Sequence, residues 1–106
     1  MTYHRRINGV CPMTNGRFEN LVRRIVSDYT NAHGDVTDEA PQLKPEDVYI
    51  VWSCKTLQNN KALASTPRLD GMYYEITYNG DKDELYVDAY KKFENKCIPG
   101  RLFPIE

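Results

Sequence analysis

Hydrophobic and polar positions alternate over much of the chain between residues 48 and 89. The first such segment is rich in β-branched and aromatic residues, which favours a half-buried strand. Its alternation predicts Val48, Ile50, Trp52 and Cys54 on one side and Tyr49, Val51 and Ser53 on the other. We therefore expect an antiparallel sheet at the centre of the protein.

Two adjacent asparagines follow this strand. Asn59 and Asn60 tolerate the positive φ angles that a tight primed turn requires. They predict a first hairpin over residues 48–66, with Thr56 opposite Leu63. The hairpin ends before Pro67, because proline cannot donate a hydrogen bond to a ladder.

The second hairpin has two conceivable registers. The pair Asn79-Gly80 is a strong signal for a two-residue turn, but that register sets Ile76 opposite Asp83. A four-residue loop over 80–83 keeps the apolar sides of both strands together, whereas a one-residue slip would turn one of them to water. The longer loop is therefore predicted. It pairs Tyr78 with Leu85, Ile76 with Val87 and Tyr74 with Ala89, and it leaves Tyr73, Glu75, Thr77, Tyr86 and Asp88 on a wetter face.

A helical pattern precedes the sheet. Over residues 15–32 the apolar positions recur at helical spacing and form one stripe, which predicts a helix packed on the sheet. Thr14 or Asn15 can cap its start and Gly34 can end it. The stripe consists of Phe18, Leu21, Val22, Ile25, Val26 and Tyr29.

The C-terminal region allows two interpretations. Asp88 can cap a short helix from Ala89 to about Lys96, or the preceding strand can continue. We expect an irregular tail over 99–106, with Leu102 or Phe103 docked on the core. The predicted fold is a single α+β domain over 1–106, with a flexible arm at 1–13 and a core at 14–98. Its antiparallel sheet of about four strands, in two hairpins, is packed by one long N-terminal helix and followed by a short C-terminal helix.

Composition narrows the functional classes. The 106 residues are 27% charged and 41% hydrophobic, with a net charge of −1, so no global field selects nucleic acid or an anionic membrane. No apolar run approaches the roughly 20 residues that span a bilayer. The odd number of cysteines and the absence of a CxxC pair favour reduced thiols in a cytosol. We expect Cys54 and Cys97 to be buried and Cys11 to be an incidental thiol.

The chain carries no recognisable catalytic or metal-binding motif. Its histidines are His4 and His33, and nothing in the spacing supports a dyad of His33 with Cys54. The acidic residues of the loop over 34–47 lack the spacing of a calcium loop. The sequence therefore predicts a protein that is not an enzyme and that has no catalytic residues, metal or cofactor.

Tyrosine is abundant, with eight residues in the chain. Tyrosines can fill a thin core with their hydroxyls in water, form a protein-binding surface, or stack on a nucleotide or on single-stranded bases. Protein binding is favoured over nucleotide binding. The candidate contact residues are Trp52, Lys55, Gln58, Asn59, Lys61, Tyr73 and Tyr86.

Three blocks of sequence resemble a known family. They are Asp47–Thr66, Asp70–Lys82 and Tyr86–Ile98, and their most specific parts are Trp-x-Cys-Lys-Thr-Leu-Gln-Asn and Asp-Gly-Met-Tyr-Tyr-Glu. They resemble the domain of unknown function family six-two-seven-five, which comprises small phage and prophage proteins of Gram-positive bacteria. The resemblance covers roughly residues 17–98 and carries over no site residues.

The resemblance implies an accessory protein of a mobile element that works in the bacterial cytoplasm. Together with the tyrosine-rich sheet, it suggests a binding protein that inhibits a component of a host anti-phage defence system. The alternatives are a sponge for a nucleotide or signalling molecule and, less favoured, a single-stranded nucleic-acid-binding module. A homodimer is a further expectation, with the uncovered face or edge of the sheet as its first candidate interface.

Overall fold

The computed structural model describes residues 13–33 and 41–103, and it shows one helix beside a four-stranded antiparallel sheet. The strand order is β1-β2-β3-β4, so each strand pairs with its neighbours in sequence. The α+β class with an N-terminal helix is confirmed, and the short C-terminal helical piece is a 3-10 turn. The elements are α1 (Asn15–His33), β1 (Tyr49–Thr56), β2 (Asn59–Ser65), β3 (Met72–Asn79) and β4 (Glu84–Lys91), with 3-10 turns at Pro45–Asp47 and Gly100–Leu102.

The apolar stripe of α1 packs on the sheet as predicted. Phe18, Val22 and Val26 are fully buried, and they share one core with Ala62 and Ile76. The small alanine side chain on β2 lets the helix lie close to the strands. The hydroxyl of Thr14 accepts a hydrogen bond from the backbone N–H of Arg17 at 3.2 Å, which confirms Thr14 as the cap. The expected stop at Gly34 lies outside the described residues.

One asparagine ties the segment before β1 to the helix. The side chain of Asn31 donates to the backbone carbonyl of Leu43 and accepts from its N–H, both at 2.8 Å. Leu43 and Val48 are buried as a result. Residues 34–40, which hold part of the acidic loop, lie outside the described residues.

A bulge in β1 overturns the predicted alternation of that strand. Ile50 pairs with Ala64, but Trp52 pairs with Leu63, so the register shifts at Val51. An extra residue in one strand turns the following side chains to the other face. Ser53 consequently faces α1, where its hydroxyl donates to the carboxylate of Glu19 at 2.7 Å. Trp52 and Cys54 lie on the face away from the helix, opposite to the sequence-based expectation.

The turn of the first hairpin lies two residues earlier than predicted. Leu57 and Gln58 form it, and Thr56 pairs with Asn59. Leu57 adopts φ 55° there, a conformation that costs a leucine roughly 1–2 kcal/mol. Asn59 and Asn60 have tertiary partners that local turn propensity does not reveal. Asn59 accepts from the N–H of Gly80 at 3.3 Å, and the buried Asn60 donates to Asn15 at 3.4 Å.

The second hairpin has the longer loop, as predicted. Tyr78 pairs with Leu85, Ile76 with Val87 and Tyr74 with Ala89. Tyr74, Ile76 and Tyr78 are buried, which is the physical reason for this register. The wetter face is confirmed by the pairing of Tyr73 with Tyr90, Glu75 with Asp88 and Thr77 with Tyr86.

Of the two interpretations of residues 89–96, the continued strand forms as far as Lys91 and the short helix does not form. β4 continues to Lys91, which pairs with Met72, and the N–H of Lys92 donates to the carbonyl of Gly71 at 2.7 Å. The ladder offered by β3 satisfies backbone groups that a short isolated helix would leave open. Every described residue from 92 to 103 is exposed. The expected docking of Leu102 or Phe103 on the core is therefore wrong, since these side chains are 61% and 65% exposed.

The expected burial of two cysteines is also wrong. Cys54 and Cys97 are both exposed free thiols. The bulge places Cys54 on the face away from the core, and Cys97 lies in the exposed C-terminal segment. Cys11 lies outside the described residues.

We predict that Gly80→Ala destabilises the fold by about 2 kcal/mol, because overpacking of this size costs 1–3 kcal/mol. A Cβ at Gly80 would lie 2.9 Å from the Cβ of Gln58 and closer still to its carbonyl oxygen. The two hairpin turns touch at this point. Urea unfolding measures the change.

Gly16→Ala is the matched control for this substitution. A Cβ at Gly16 meets nothing within 4 Å, and alanine in place of glycine inside a helix is worth roughly 0.5–1 kcal/mol. We expect Gly16→Ala to be neutral or stabilising. Equal effects of the two substitutions would contradict the close approach of the turns.

Candidate functional site on the open sheet face

The sheet has one face under α1 and an opposite face that we call the open face. Bulge and register together decide which side chains the open face carries. Several large aromatic side chains on this face are about half exposed, including Trp52 at 42%, Tyr86 at 47% and Tyr90 at 51%. The open face consists of Tyr49, Trp52, Cys54, Asn59, Lys61, Leu63, Tyr73, Glu75, Thr77, Tyr86, Asp88 and Tyr90.

The structure brings five of the seven predicted contact residues onto this surface: Trp52, Asn59, Lys61, Tyr73 and Tyr86. The alternation put Trp52 on the side of its strand that carries Ile50, and the bulge separates the two, so that Trp52 lies beside the other contact candidates.

Two predicted contact residues lie elsewhere. Lys55 pairs with Asn60 on the helix side of the sheet, and its ammonium donates to the carbonyl of Leu57 at 2.8 Å. Gln58 lies in the turn between β1 and β2. Both are exposed at one end of the sheet, next to the open face and not on it.

Sequence reasoning missed two aromatic residues of the open face. Neither Tyr90, which lies in the region with two interpretations, nor Tyr49 was among the candidate contact residues. Their signal was the strand alternation itself, since Tyr86, Asp88 and Tyr90 share one parity on β4. Tyr73 and Tyr90 are direct cross-strand neighbours, an arrangement in which aromatic side chains interact.

The centre of the open face carries a mixed charge. The ammonium of Lys61 lies 3.4 Å from the carboxylate of Glu75. Such an exposed pair contributes about 0–1 kcal/mol to stability. Glu75 also pairs with Asp88 across β3 and β4, so acidic groups outnumber the single lysine on this part of the face. The surface combines aromatic rings with a slightly acidic centre.

A shallow cavity of about 300 Å³ opens beside this charged pair. That volume is at the lower bound of the range typical of small-molecule sites. Its lining offers one cation, one aromatic ring, and several hydroxyl and amide groups. The lining residues are Cys54, Thr56, Asn59, Asn60, Lys61, Thr77, Asn79 and Tyr86.

Tyr86 at the rim of this cavity is held by a neighbour on its own strand. Its hydroxyl donates a short hydrogen bond to the carboxylate of Glu84. This bond and the negative charge of Glu84 raise the pKa of Tyr86 above its usual 10.0. The ring is thus kept neutral and oriented along the edge of the open face.

The described residues do not assemble a catalytic dyad from Cys54 and His33. Cys54 lies on the open face, whereas the His33 ring stacks on Tyr29 at 4.0 Å in the helix layer. Within residues 13–33 and 41–103, no three His, Cys, Asp or Glu side chains cluster closely enough to hold a metal ion. In the same part of the chain, no helix is both long and apolar enough to cross a membrane.

We predict that Glu84→Gln lowers the pKa of Tyr86 back towards 10.0, because both the negative charge and its acceptor strength are lost. A raised pKa for an acid that is neutral when protonated adds stability below pH 10, and that stability disappears as the pH rises through the folded-state pKa. NMR titration of labelled tyrosine rings reports the shift. Glu94→Gln, in the C-terminal segment, should leave it unchanged, and equal curves for wild type and Glu84→Gln would refute the assignment.

Comparison with known proteins adds one finding. The model of a family of unknown function, DUF6275, matches residues 19–100, which is most of the chain. Comparison with curated proteins gave no match, and neither did comparison with solved structures. The matched range contains all four strands and nearly all of α1, so the family model describes the fold seen here. The chain therefore belongs to the DUF6275 family.

Proposed function

We propose that this chain is a non-catalytic binding protein that uses the open face to occupy the surface of a protein partner. The observation that carries the proposal is the exposure of Trp52, Tyr86 and Tyr90 on one rigid sheet face. Tryptophan and tyrosine are the residues most enriched at interface hot spots, because they offer large contact area at low conformational cost.

The architecture suits this role physically. Strands hold their side chains in fixed positions, so the open face is organised before the partner arrives and little ordering entropy is lost on binding. The Lys61–Glu75 pair at the centre provides directional polar contacts. Aromatic residues are enriched in the core of specific protein interfaces and charged residues are depleted there, so we expect the aromatic part of the open face to supply most of the contact.

The partner is proposed from the family resemblance of the sequence. Its blocks resemble small phage and prophage proteins of Gram-positive bacteria, and proteins of that kind act in the cytoplasm of the host. A compact domain with an exposed recognition face can block a larger host protein by covering its working surface. We propose that the target is a component of a host anti-phage defence system.

Affinity capture with the tagged wild-type chain and with its Trp52→Ala variant tests this proposal. The tagged wild-type chain should recover one dominant protein from a Gram-positive lysate, and its expression should restore phage plating on a host that carries the matching defence system. Trp52→Ala should weaken capture roughly thirtyfold, because loss of a hot spot costs about 2 kcal/mol or more.

Glu46→Ala is the control for this experiment. Glu46 is exposed in the 3-10 turn at Pro45–Asp47, away from the open face, so this substitution should leave capture unchanged. Equal capture by wild type and Trp52→Ala would remove the open face as the binding surface. Failure to restore plating against any defence system would remove the defence component as the target.

The cavity favours a second candidate function, in which the chain sequesters a nucleotide or signalling molecule. The Tyr86 ring can stack on a base, and Lys61 beside it can pair with a phosphate. The slightly acidic centre of the open face disfavours single-stranded nucleic acid, since such binding needs a positively charged groove.

Mass spectrometry of small molecules released by heat separates the two candidate functions. A sequestering protein purified from its host should release one nucleotide-like compound in near-stoichiometric amount, and Lys61→Ala should abolish this release. Release from Lys61→Ala equal to that from wild type, or no release from wild type, would exclude the cavity as a ligand site.

A further inference from the structure

The two edges of the sheet are built differently. β1 carries the bulge between Ile50 and Trp52, and a bulge is a common means of protecting an edge from pairing with another chain. β4 pairs with β3 in an unbroken register over its full length. Its outer edge is therefore long and regular, which is the form that accepts another strand most readily.

The helix layer ends before it reaches the middle of β4. Val87 and Ala89 pair with the buried Ile76 and Tyr74 on the helix side of the sheet, yet Val87 is 38% exposed and Ala89 is exposed too. Leu85, on the same side of β4, packs against the core. An apolar row thus continues outward from the core to the free edge, where it stops in solvent.

We propose that the β4 edge is the interface for a second copy of this chain, and that the two β4 strands pair antiparallel about a two-fold axis at Val87. In such a dimer the two sheets join into one of eight strands. Both open faces then lie on the same side, so that the dimer doubles the surface assigned above to partner binding. The proposal goes beyond that function and does not depend on it.

Symmetry restricts the register of this pairing. An antiparallel dimer with one continuous sheet has its two-fold axis perpendicular to the sheet, because only then do the side chains of paired residues share a face. The axis must therefore lie midway between one residue of β4 and the same residue in the other copy. Within β4, the central residues Tyr86, Val87 and Asp88 allow the longest overlap.

Charge selects among these three axes, since like charges directly opposite each other destabilise a sheet. An axis at Asp88 sets two carboxylates opposite each other. An axis at Tyr86 sets Glu84 opposite the partner's Asp88. An axis at Val87 avoids both, because it sets Glu84 opposite the partner's Tyr90.

The Val87 axis places side chains of matching character together on both faces. On the helix side, Val87 meets its own copy and Leu85 meets the partner's Ala89, so the apolar row is extended and not left in water. On the open face, Tyr86 lies opposite the partner's Asp88. Cross-strand pairs of this kind stabilise a sheet.

The C-terminal segment adds a second reason to expect another copy. Residues 92–103 follow β4 directly, and Phe93 and Ile98 are 97% and 51% exposed there. In the antiparallel pairing, the segment leaves β4 beside the partner's turn over residues 80–83. Apolar side chains that lie in water in one copy then run alongside a second protein surface.

Cysteine cross-linking measures where the two-fold axis of the proposed dimer lies. In a full-length chain with Cys11, Cys54 and Cys97 changed to serine, Val87→Cys places two thiols at directly paired positions, within disulfide range. We expect rapid oxidation to a species of twice the 12.3 kDa chain mass. Ala89→Cys, on the same strand and face, places its thiols about 13 Å apart along the strands and should cross-link at least tenfold more slowly.

Light scattering of uncross-linked variants checks the dimer independently. The wild-type chain should have twice the chain mass, and Val87→Lys should have the mass of one chain with the circular dichroism spectrum of the folded wild type. Tyr49→Lys, on the edge strand β1, should stay dimeric. A monomeric wild type at the highest soluble concentration, a dimeric Val87→Lys, or cross-linking of Ala89→Cys as fast as that of Val87→Cys would each overturn the proposal.

Discussion

One helix cannot cover four strands, and this mismatch shapes the whole molecule. A helix with its side chains is about 10–12 Å wide, while neighbouring strands are about 4.8 Å apart, so the four strand axes span roughly 14 Å. The apolar stripe of α1, which begins with Phe18 and Val22, therefore packs against β1, β2 and β3. The inner side chains of these strands form the core with it. Leu85 of β4 packs at the margin of this core, but Val87 and Ala89 are exposed, and the opposite face lies away from α1. Both surfaces proposed to bind other proteins are these uncovered parts.

The bulge in β1 brings Trp52 to the uncovered face. Before the shift, β1 directs Ile50 to the core, and after it Ser53 takes the helix side and bonds to Glu19. A small polar residue thus lies under the N-terminal half of the helix, at the side of the strand that Trp52 would occupy without the shift. The same shift carries Trp52 and Cys54 to the open face and protects the β1 edge from pairing with another chain.

Rigidity at the tip of the sheet comes from contacts between its two turns. Gly80 sits against the backbone of Gln58, and the side chain of Asn59 accepts the N–H of Gly80. Asn60 extends the connection to the first residue of α1. The cavity lined by Lys61 and Tyr86 lies at this end, so its walls are held by hydrogen bonds between separate elements. A surface held in this way is organised in the free protein.

The periodicity of apolar residues along the chain was enough to predict the helix and the second hairpin. The spacing of Phe18 to Tyr29 predicted the helix and its buried side, and the apolar alternation around Ile76 predicted the second hairpin in its observed register. These succeeded because burial imposes a period on any regular element. The same patterns placed Tyr73 and Tyr86 on one exposed face. The sequence could not place the turn at Leu57, since Asn59 and Asn60 are better turn formers and are used instead in contacts with residues distant in sequence.

Only the tertiary structure decided which surfaces are left over. The position of Trp52 depends on a bulge, and a bulge is set by what fits beneath the helix and not by the strand's own alternation. Tyr90 belongs to a strand because β3 offers it hydrogen bonds, which a local helical pattern cannot reveal. The exposure of Val87 follows from the width of a single helix. In each case the deciding contact joins residues far apart in the chain, so no local pattern contains it.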